Sequence, residues 1–167
     1  MRYLLIDRIQ RLEFNKQLLA IKNVALSEDV YSEHFVGFPV MPGALLIESL
    51  AQAGTALLEV SAKYKMKALL VMVERAKFRF LVYPGDQLSI LMTMVSFDNH
   101  YAQMDGTVHV AGRLVMNARL TFALKDAQQF YPPKTRHLME TIYDIWLKDA
   151  QLIGLDQTCE TGERSHD

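Results

Sequence analysis

The feature that most constrains the fold is a helix that is apolar on nearly all sides. Residues 44–64 contain strong helix formers and no proline, and apolar side chains surround the helix as far as Leu58. Such a helix must be buried, because no face of it is polar enough to meet water. Small residues allow other backbones to approach it closely: Ala44, Ala51, Ala53, Gly54 and Ala56.

From Leu69 onward, apolar residues recur at every second position, which is typical of strands with one buried face. The runs at 76–80, 88–95 and 114–124 show this alternation. Turn residues separate the runs at Pro84-Gly85-Asp86, Asp98-Asn99 and Ala111-Gly112. A half-buried sheet needs an apolar cover, and the 44–64 helix is the only long candidate before the C-terminal region. The pattern predicts an antiparallel α+β domain with its sheet wrapped round one central helix.

Length and charge restrict the function classes. A chain of 167 residues predicts one domain. The net charge of −1 offers no overall field for nucleic acid or an anionic membrane, so an acidic partner would need a local basic patch. The single cysteine, Cys159, excludes an internal disulfide framework and fits a reducing compartment. The first seven residues meet charge too early for a signal peptide, and no run of about 18 apolar residues suggests a membrane span. We expect a cytoplasmic protein.

Several motif classes are missing from the sequence. It contains no Gly-x-Ser-x-Gly elbow, no Gly-x-Gly-x-x-Gly loop, no Walker loop and no Cys/His metal spacing. Serine hydrolases, dinucleotide enzymes and zinc proteins are therefore excluded.

The stretch from His34 to Gln52 carries the residues best suited to chemistry. It reads His-Phe-Val-Gly-Phe-Pro-Val-Met-Pro-Gly-Ala-Leu-Leu-Ile-Glu-Ser-Leu-Ala-Gln. An imidazole precedes a turn with two prolines, Gly43 stands at the expected helix start, and Glu48 follows about a turn and a half into the apolar helix. Because a buried ionised carboxylate is costly, a glutamate there should be paired, protonated or functional.

This stretch resembles the FabZ-type 3-hydroxyacyl-acyl-carrier-protein dehydratases, whose pattern is roughly His-Phe-Pro-Gly-x-Pro-x-x-Pro-Gly-x-x-x-x-Glu-x-x-x-Gln. The chain matches it at His34, Phe35, Gly37, Pro39, Pro42, Gly43, Glu48 and Gln52. A second similar stretch lies at 76–86, so the resemblance covers about residues 1–126. Val36 stands where the family usually has proline, which removes a restraint from the loop after His34. The resemblance implies the hotdog fold and dehydration of 3-hydroxyacyl thioesters to trans-2-enoyl thioesters on acyl carrier protein.

This dehydration requires a base, an acid for the leaving oxygen, and donors for an enolate-like oxygen. His34 suits the base because imidazole titrates near neutrality. Glu48, in apolar surroundings, would favour its protonated form and could deliver a proton to the hydroxyl or position a water there. The N–H of Gly43 lies at the positive end of the helix dipole and suits the thioester oxygen. No metal or redox cofactor is required.

Three further residues are expected to support this site. Pro42 supports the turn before the helix. Gln52, one turn beyond Glu48, either hydrogen-bonds that glutamate or satisfies a polar contact in the core. The resemblance assigns the same roles to His34, Glu48 and Gly43, and adds a carbonyl at Val40 that orients the imidazole.

The resemblance also implies partners. Acyl carrier proteins present acidic helices, so a near-neutral dehydratase should meet them with a local basic cluster. The best candidates for this cluster are Lys63, Lys65, Lys67, Arg75, Lys77 and Arg79. Lys77 and Arg79 are selected for the test of docking. The family forms homodimers that place the histidine of one protomer against the acid of the other, and many members assemble further into trimers of dimers. A helix that is apolar nearly all round suits burial against a second copy.

The chain after Pro132-Pro133 returns to a helical period. Its apolar face is expected to contain Leu138, Met139, Ile142, Ile145, Trp146, Leu152 and Ile153, with Gly154 as the C-cap. This helix either docks on the domain or acts as a lid or acyl-chain sensor. The predicted organisation is a hotdog domain at 1–134, a docking amphipathic helix at 135–154 and a disordered tail at 155–167.

Two other functions compete with dehydration. One is a hotdog acyl thioesterase, which has no need for a histidine at the spacing of His34. The other is a non-catalytic acyl-binding subunit, against which the presence of both His34 and Glu48 argues.

Overall fold

The computed structural model describes residues 4–130 and 133–154. Two α-helices, Gly43–Ser61 (α1) and Pro133–Leu147 (α2), accompany the sheet. The strands are β1 (Arg8–Glu13), β2 (Gln17–Asn23), β3 (Met66–Phe78), β4 (Gln87–Phe97), β5 (Tyr101–Val110), β6 (Arg113–Asp126) and β7 (Gln151–Ile153). Short 3₁₀ turns occupy Asp29–Ser32 and Ala127–Gln129.

All seven strands form one curved sheet around α1. Their order is β3-β6-β5-β4-β2-β1-β7, and every pair is antiparallel except β1 with β7. Leu50 and Leu57 of α1 are completely buried, as are Ile90 of β4 and Leu120 of β6. The predicted hotdog fold is therefore confirmed.

The central helix is slightly shorter than the sequence suggested. It ends at Ser61 and not at residue 64, because Lys63 and Tyr64 take left-handed backbone angles, with φ of 51° and 60°. These angles turn the chain back into β3. By length and composition alone, α1 could cross a bilayer, a possibility that the sequence had not indicated. Most of the helix is buried inside this fold, as expected of the core helix of a domain.

The alternation predicted for β4 and β6 is present, whereas two other regions differ. The hairpin β1–β2 was not predicted, because a bulge between Ile9 and Arg11 places the buried residues Ile9 and Leu12 three positions apart. In β3, the segment 70–73 is exposed at every position. This strand lies at the end of the sheet, and within residues 4–130 and 133–154 no strand pairs with its outer edge.

The prediction of a helix through Ile153 was wrong. Helix α2 ends at Leu147, Asp149 turns the chain with a φ of 66°, and β7 then pairs with β1. The free edge of β1 supplies the competing backbone bonds, so Gly154 is not a helix cap. Ile145, expected on the buried face, is 61% exposed. The side chains of Leu138 and Met139, and all of 155–167, lie outside the described residues.

A buried polar contact joins α2 to α1. Tyr143 Oη donates a 2.6 Å hydrogen bond to the carboxylate of Glu59, which also forms a 2.7 Å ion pair with Lys67. Both Tyr143 and Glu59 are 2% exposed, and Trp146 packs edge-on against Tyr143. These contacts favour the docking interpretation of α2 over the lid.

Candidate active site

Backbone groups hold His34 on both sides. Its N–H donates to the carbonyl of Val30 at 3.1 Å, and its own carbonyl accepts from the N–H of Val40 at 3.3 Å. The ring atom Nδ1 lies 3.1 Å from the carbonyl oxygen of Val40. Because a carbonyl only accepts, Nδ1 must carry the proton, and Nε2 of the neutral ring keeps its lone pair. The contact expected between Val40 and the imidazole is present.

A tight turn follows His34. The N–H groups of Phe35 and Phe38 donate to each other's carbonyls at 3.1 and 2.8 Å, and Gly37 between them has a φ of 76°. The left-handed angle explains a glycine at this position. Val36, the departure from the family pattern, is 86% exposed at the tip of this turn. The ring of Phe35 stacks on the imidazole, with centroids 4.2 Å apart.

The first turn of α1 presents free donors. Its N-cap is Pro42, which has no N–H and makes no side-chain cap. Among the residues that the structure describes, the N–H groups of Gly43 and Ala44 have no hydrogen-bond partner. They lie at the positive end of the helix dipole, where an oxygen that gains negative charge is stabilised. The donor of Ala44 was not predicted, although any residue in this first turn presents one.

Gly43 also has a packing reason to lack a side chain. A Cβ atom there would lie 2.9 Å from the ring of Phe78, which covers the start of α1. The structure shows that an aromatic ring of this chain approaches it.

Glu48 is partly buried on α1 and is held by Gln52. The amide Nε2 of Gln52 donates to Oε1 of Glu48 at 3.0 Å, and Oε1 of Gln52 accepts from the N–H of Leu5 at 2.9 Å. Gln52 therefore performs both of the roles left open for it: it hydrogen-bonds Glu48 and makes a polar contact elsewhere in the domain. Since the N–H of Leu5 can only donate, it fixes the amide with its NH₂ toward Glu48. Because Oε1 of Glu48 accepts this hydrogen bond, a proton on the carboxyl group would reside on Oε2.

His34 and Glu48, the two candidates for catalysis, do not bond to each other within one chain. In residues 4–130 and 133–154, no hydrogen bond or ion pair joins His34 to Glu48. An apolar cavity of about 350 Å³ lies at the other end of α1, where Leu58 and Ala62 line it. The site around Gly43 is thus separate from this cavity.

Exposed basic residues lie next to Phe78 in sequence or contact the neighbouring Phe80. Lys77 and Arg79 flank Phe78 in sequence, and the guanidinium of Arg79 hydrogen-bonds the side chain of Asn117. Arg113, which was not predicted, lies over the ring of Phe80, 3.2 Å from its centroid. Arg113 begins β6, far from Phe80 in sequence, so no local pattern connects the two residues. In the described part of the chain, no cluster of three or more His, Cys, Asp or Glu side chains could hold a metal.

The sheet wrapped round α1 and the histidine loop before it place the chain in the hotdog class. Within this class, the chain belongs to the FabA-like family, because the model for the FabA-like domain matches residues 1–119. It is similar to the 3-hydroxyacyl-acyl-carrier-protein dehydratase FabZ of Halalkalibacterium halodurans, with 38% identity over 74% of this chain and 89% of that protein. The corresponding protein of Koribacter versatilis is 38% identical over 71% of this chain and 77% of its own length.

Two solved structures show the fold at low identity. The protein smu.793 from Streptococcus mutans UA159, bound to acetyl CoA, has a TM-score of 0.58 and 17% identity, covering 71% of this chain and 88% of its own. The dehydratase heterocomplex ApeI:P from Xenorhabdus doucetiae has a TM-score of 0.59 and 18% identity, covering 84% of this chain and 90% of that chain.

Proposed function

We propose that this member of the FabA-like family is a 3-hydroxyacyl-acyl-carrier-protein dehydratase that forms trans-2-enoyl thioesters in fatty-acid biosynthesis. The relatives named above support the reaction. The observation that carries the residue assignment is the hydrogen bond between Nδ1 of His34 and the carbonyl of Val40, which leaves Nε2 as an available base. We place the enzyme in the cytoplasm, where a reduced Cys159 and the carrier-bound substrate are compatible.

The proposed mechanism uses three groups. Nε2 of His34 removes the proton from the carbon next to the thioester carbonyl, and the Gly43 and Ala44 N–H groups stabilise the enolate-like oxygen. Protonated Glu48 then donates its proton to the 3-hydroxyl group, which leaves as water while the double bond forms. The proton on His34 returns to Glu48, directly or through water, so the cycle neither gains nor loses protons.

We also propose that the enzyme is a homodimer formed through β3. Among the strands that the structure describes, this strand of 13 residues pairs only with β6, so its other edge presents backbone groups without a strand partner there. Exposed apolar side chains follow the edge: Leu70, Val71, Met72, Val73 and Phe78. A long, apolar edge strand is a template for pairing with another chain, and antiparallel pairing of two β3 strands would satisfy both edges by two-fold symmetry.

This dimer would place a second chain beside the start of α1. Phe78 lies at the end of β3 and its ring covers Gly43, so the dimer edge and the candidate site adjoin. A site completed by a second chain is consistent with the missing contact between His34 and Glu48. Assembly of such dimers into trimers stays a prediction from the family resemblance.

The reaction itself is tested by incubating the purified protein with carrier-bound 3-hydroxyacyl substrates of several chain lengths. Mass spectrometry of the carrier should show the loss of one water from the acyl group. Release of the free acid would instead indicate the thioesterase. An acyl group that binds but stays unchanged at every length would indicate the non-catalytic subunit.

The carrier protein is proposed to dock on the basic residues beside Phe78. Lys77→Glu/Arg79→Glu should raise KM for carrier-bound substrate by about tenfold, because like charges then face the acidic carrier. A short free thioester should keep its KM, since it makes no carrier contact. Steady-state kinetics with both substrates measures the difference.

The matched control is Lys125→Glu/Lys148→Glu, which makes the same charge change on exposed residues of β6 and of the segment after α2, toward the C-terminal end of α1. It should leave both KM values unchanged. If the Lys77/Arg79 variant affects the two substrates equally, these residues act on the active site and not on carrier docking.

A further inference from the structure

An ion pair between buried Lys22 and half-buried Glu28 anchors the segment that leads to His34. Lys22, at the end of β2, is 8% exposed, which is costly for an ammonium group without partners. Its Nζ lies 2.8 Å from Oε1 of Glu28 and 3.4 Å from Oδ1 of Asp7. Burial acts to lower the pKa of Lys22, but the hydrogen bond to Glu28 and the charges of Asp7 and Glu28 raise it overall. Lys22 is therefore charged throughout the physiological range.

Glu28 connects this ion pair to residues 29–34, the segment that ends at His34. It is the N-cap of the 3₁₀ turn Asp29–Ser32, and its carbonyl accepts from the N–H of Tyr31 at 3.1 Å. Tyr31 is buried, and the carbonyl of Val30 in the same turn accepts from the N–H of His34. On the C-terminal side, Val40 hydrogen-bonds the backbone and the ring of His34. On the N-terminal side, Glu28 joins the preceding segment to Lys22 of β2.

We infer that the Lys22–Glu28 ion pair positions His34 for proton transfer, by fixing the backbone of residues 28–34 against β2. Neither residue acts in the proposed chemistry, so both are positioning residues, and the inference rests on the proposed role of His34 as the base. An ion pair suits this task because its hydrogen bond is directional, while rates of proton transfer depend on placement to within about 1 Å.

The test is the double variant Lys22→Met/Glu28→Gln. It removes both charges together, so neither is left buried alone, and the net charge of the protein is unchanged. The folded variant should show kcat lowered by about tenfold or more, with KM within about twofold of the wild-type value. Glu28→Asp is a milder second variant, which keeps both charges but shortens one side chain. It should also lower kcat without raising KM.

The matched control is Lys16→Met/Glu13→Gln, which removes a 2.6 Å ion pair at the β1–β2 turn. It should leave kcat unchanged.

A kcat within about twofold of wild type in both folded Lys22/Glu28 variants would overturn the inference. So would a rise in KM at constant kcat. If His34→Ala is inactive while these variants are normal, only the positioning role fails. If His34→Ala is fully active, the proposed base itself is wrong.

Discussion

Replacement of His34 by alanine is expected to lower kcat by at least about 10²-fold while the protein stays folded. The reaction loses its base, but the fold loses little, because the ring makes one hydrogen bond to Val40 and one stacking contact with exposed Phe35. The backbone bonds of this loop remain. Steady-state rates with carrier-bound substrate and thermal unfolding measure the two effects separately.

His109→Ala is the matched control, because this second partly buried histidine lies on β5. It should keep normal turnover. Near-normal dehydration by folded His34→Ala would falsify the assignment of the base.

Glu48→Gln should suppress turnover to a similar extent, because an amide of nearly the same shape cannot supply the proton. Its partner Gln52 can still form a hydrogen bond to the new side chain, so the melting temperature should change little. Glu13→Gln, at the β1–β2 turn, controls for the loss of one carboxylate elsewhere. Wild-type activity in Glu48→Gln would show that Glu48 only packs in the core.

The sequence predicted those parts of the fold that depend on local patterns. The apolar helix α1, the alternation in β4 and β6, and the turns between strands all follow from periods that a few neighbouring residues define. The site residues share this property, since His34, Gly43 and Glu48 lie within one short stretch and the ring of His34 bonds to a carbonyl six residues away. Their catalytic roles stay predictions.

The remaining features depend on contacts between distant parts of the chain. A bulge at Ile9–Arg11 interrupts the alternation that would have identified β1 as a strand. Residues 151–153 pair with the free edge of β1 and do not continue the predicted helix. Phe78 covers Gly43 across 35 positions of sequence. The partners of Lys22 become visible only once β2 and the following loop are placed together. No pattern among neighbouring residues in the sequence predicts these long-range contacts.

Mixing the two inactive variants should restore activity if the site is shared between chains. His34→Ala and Glu48→Gln chains, unfolded and refolded together in equal amounts, should form about half mixed dimers. Each mixed dimer has one site with intact His34 from one chain and intact Glu48 from the other. About a quarter of wild-type activity should therefore return. Differently tagged chains verify the mixing, and no recovery after verified mixing contradicts the shared site.

The reverse mixture provides an independent control. Wild type and the double variant His34→Ala/Glu48→Gln, in equal amounts but unmixed, should show about half the activity of the same total amount of wild type. After random pairing, every site of a mixed dimer combines one intact and one altered residue. Only the quarter of dimers with two wild-type chains stays active, so mixing should halve the activity. If His34 and Glu48 of the same chain act together, mixing leaves the activity unchanged, because each wild-type chain keeps its own complete site.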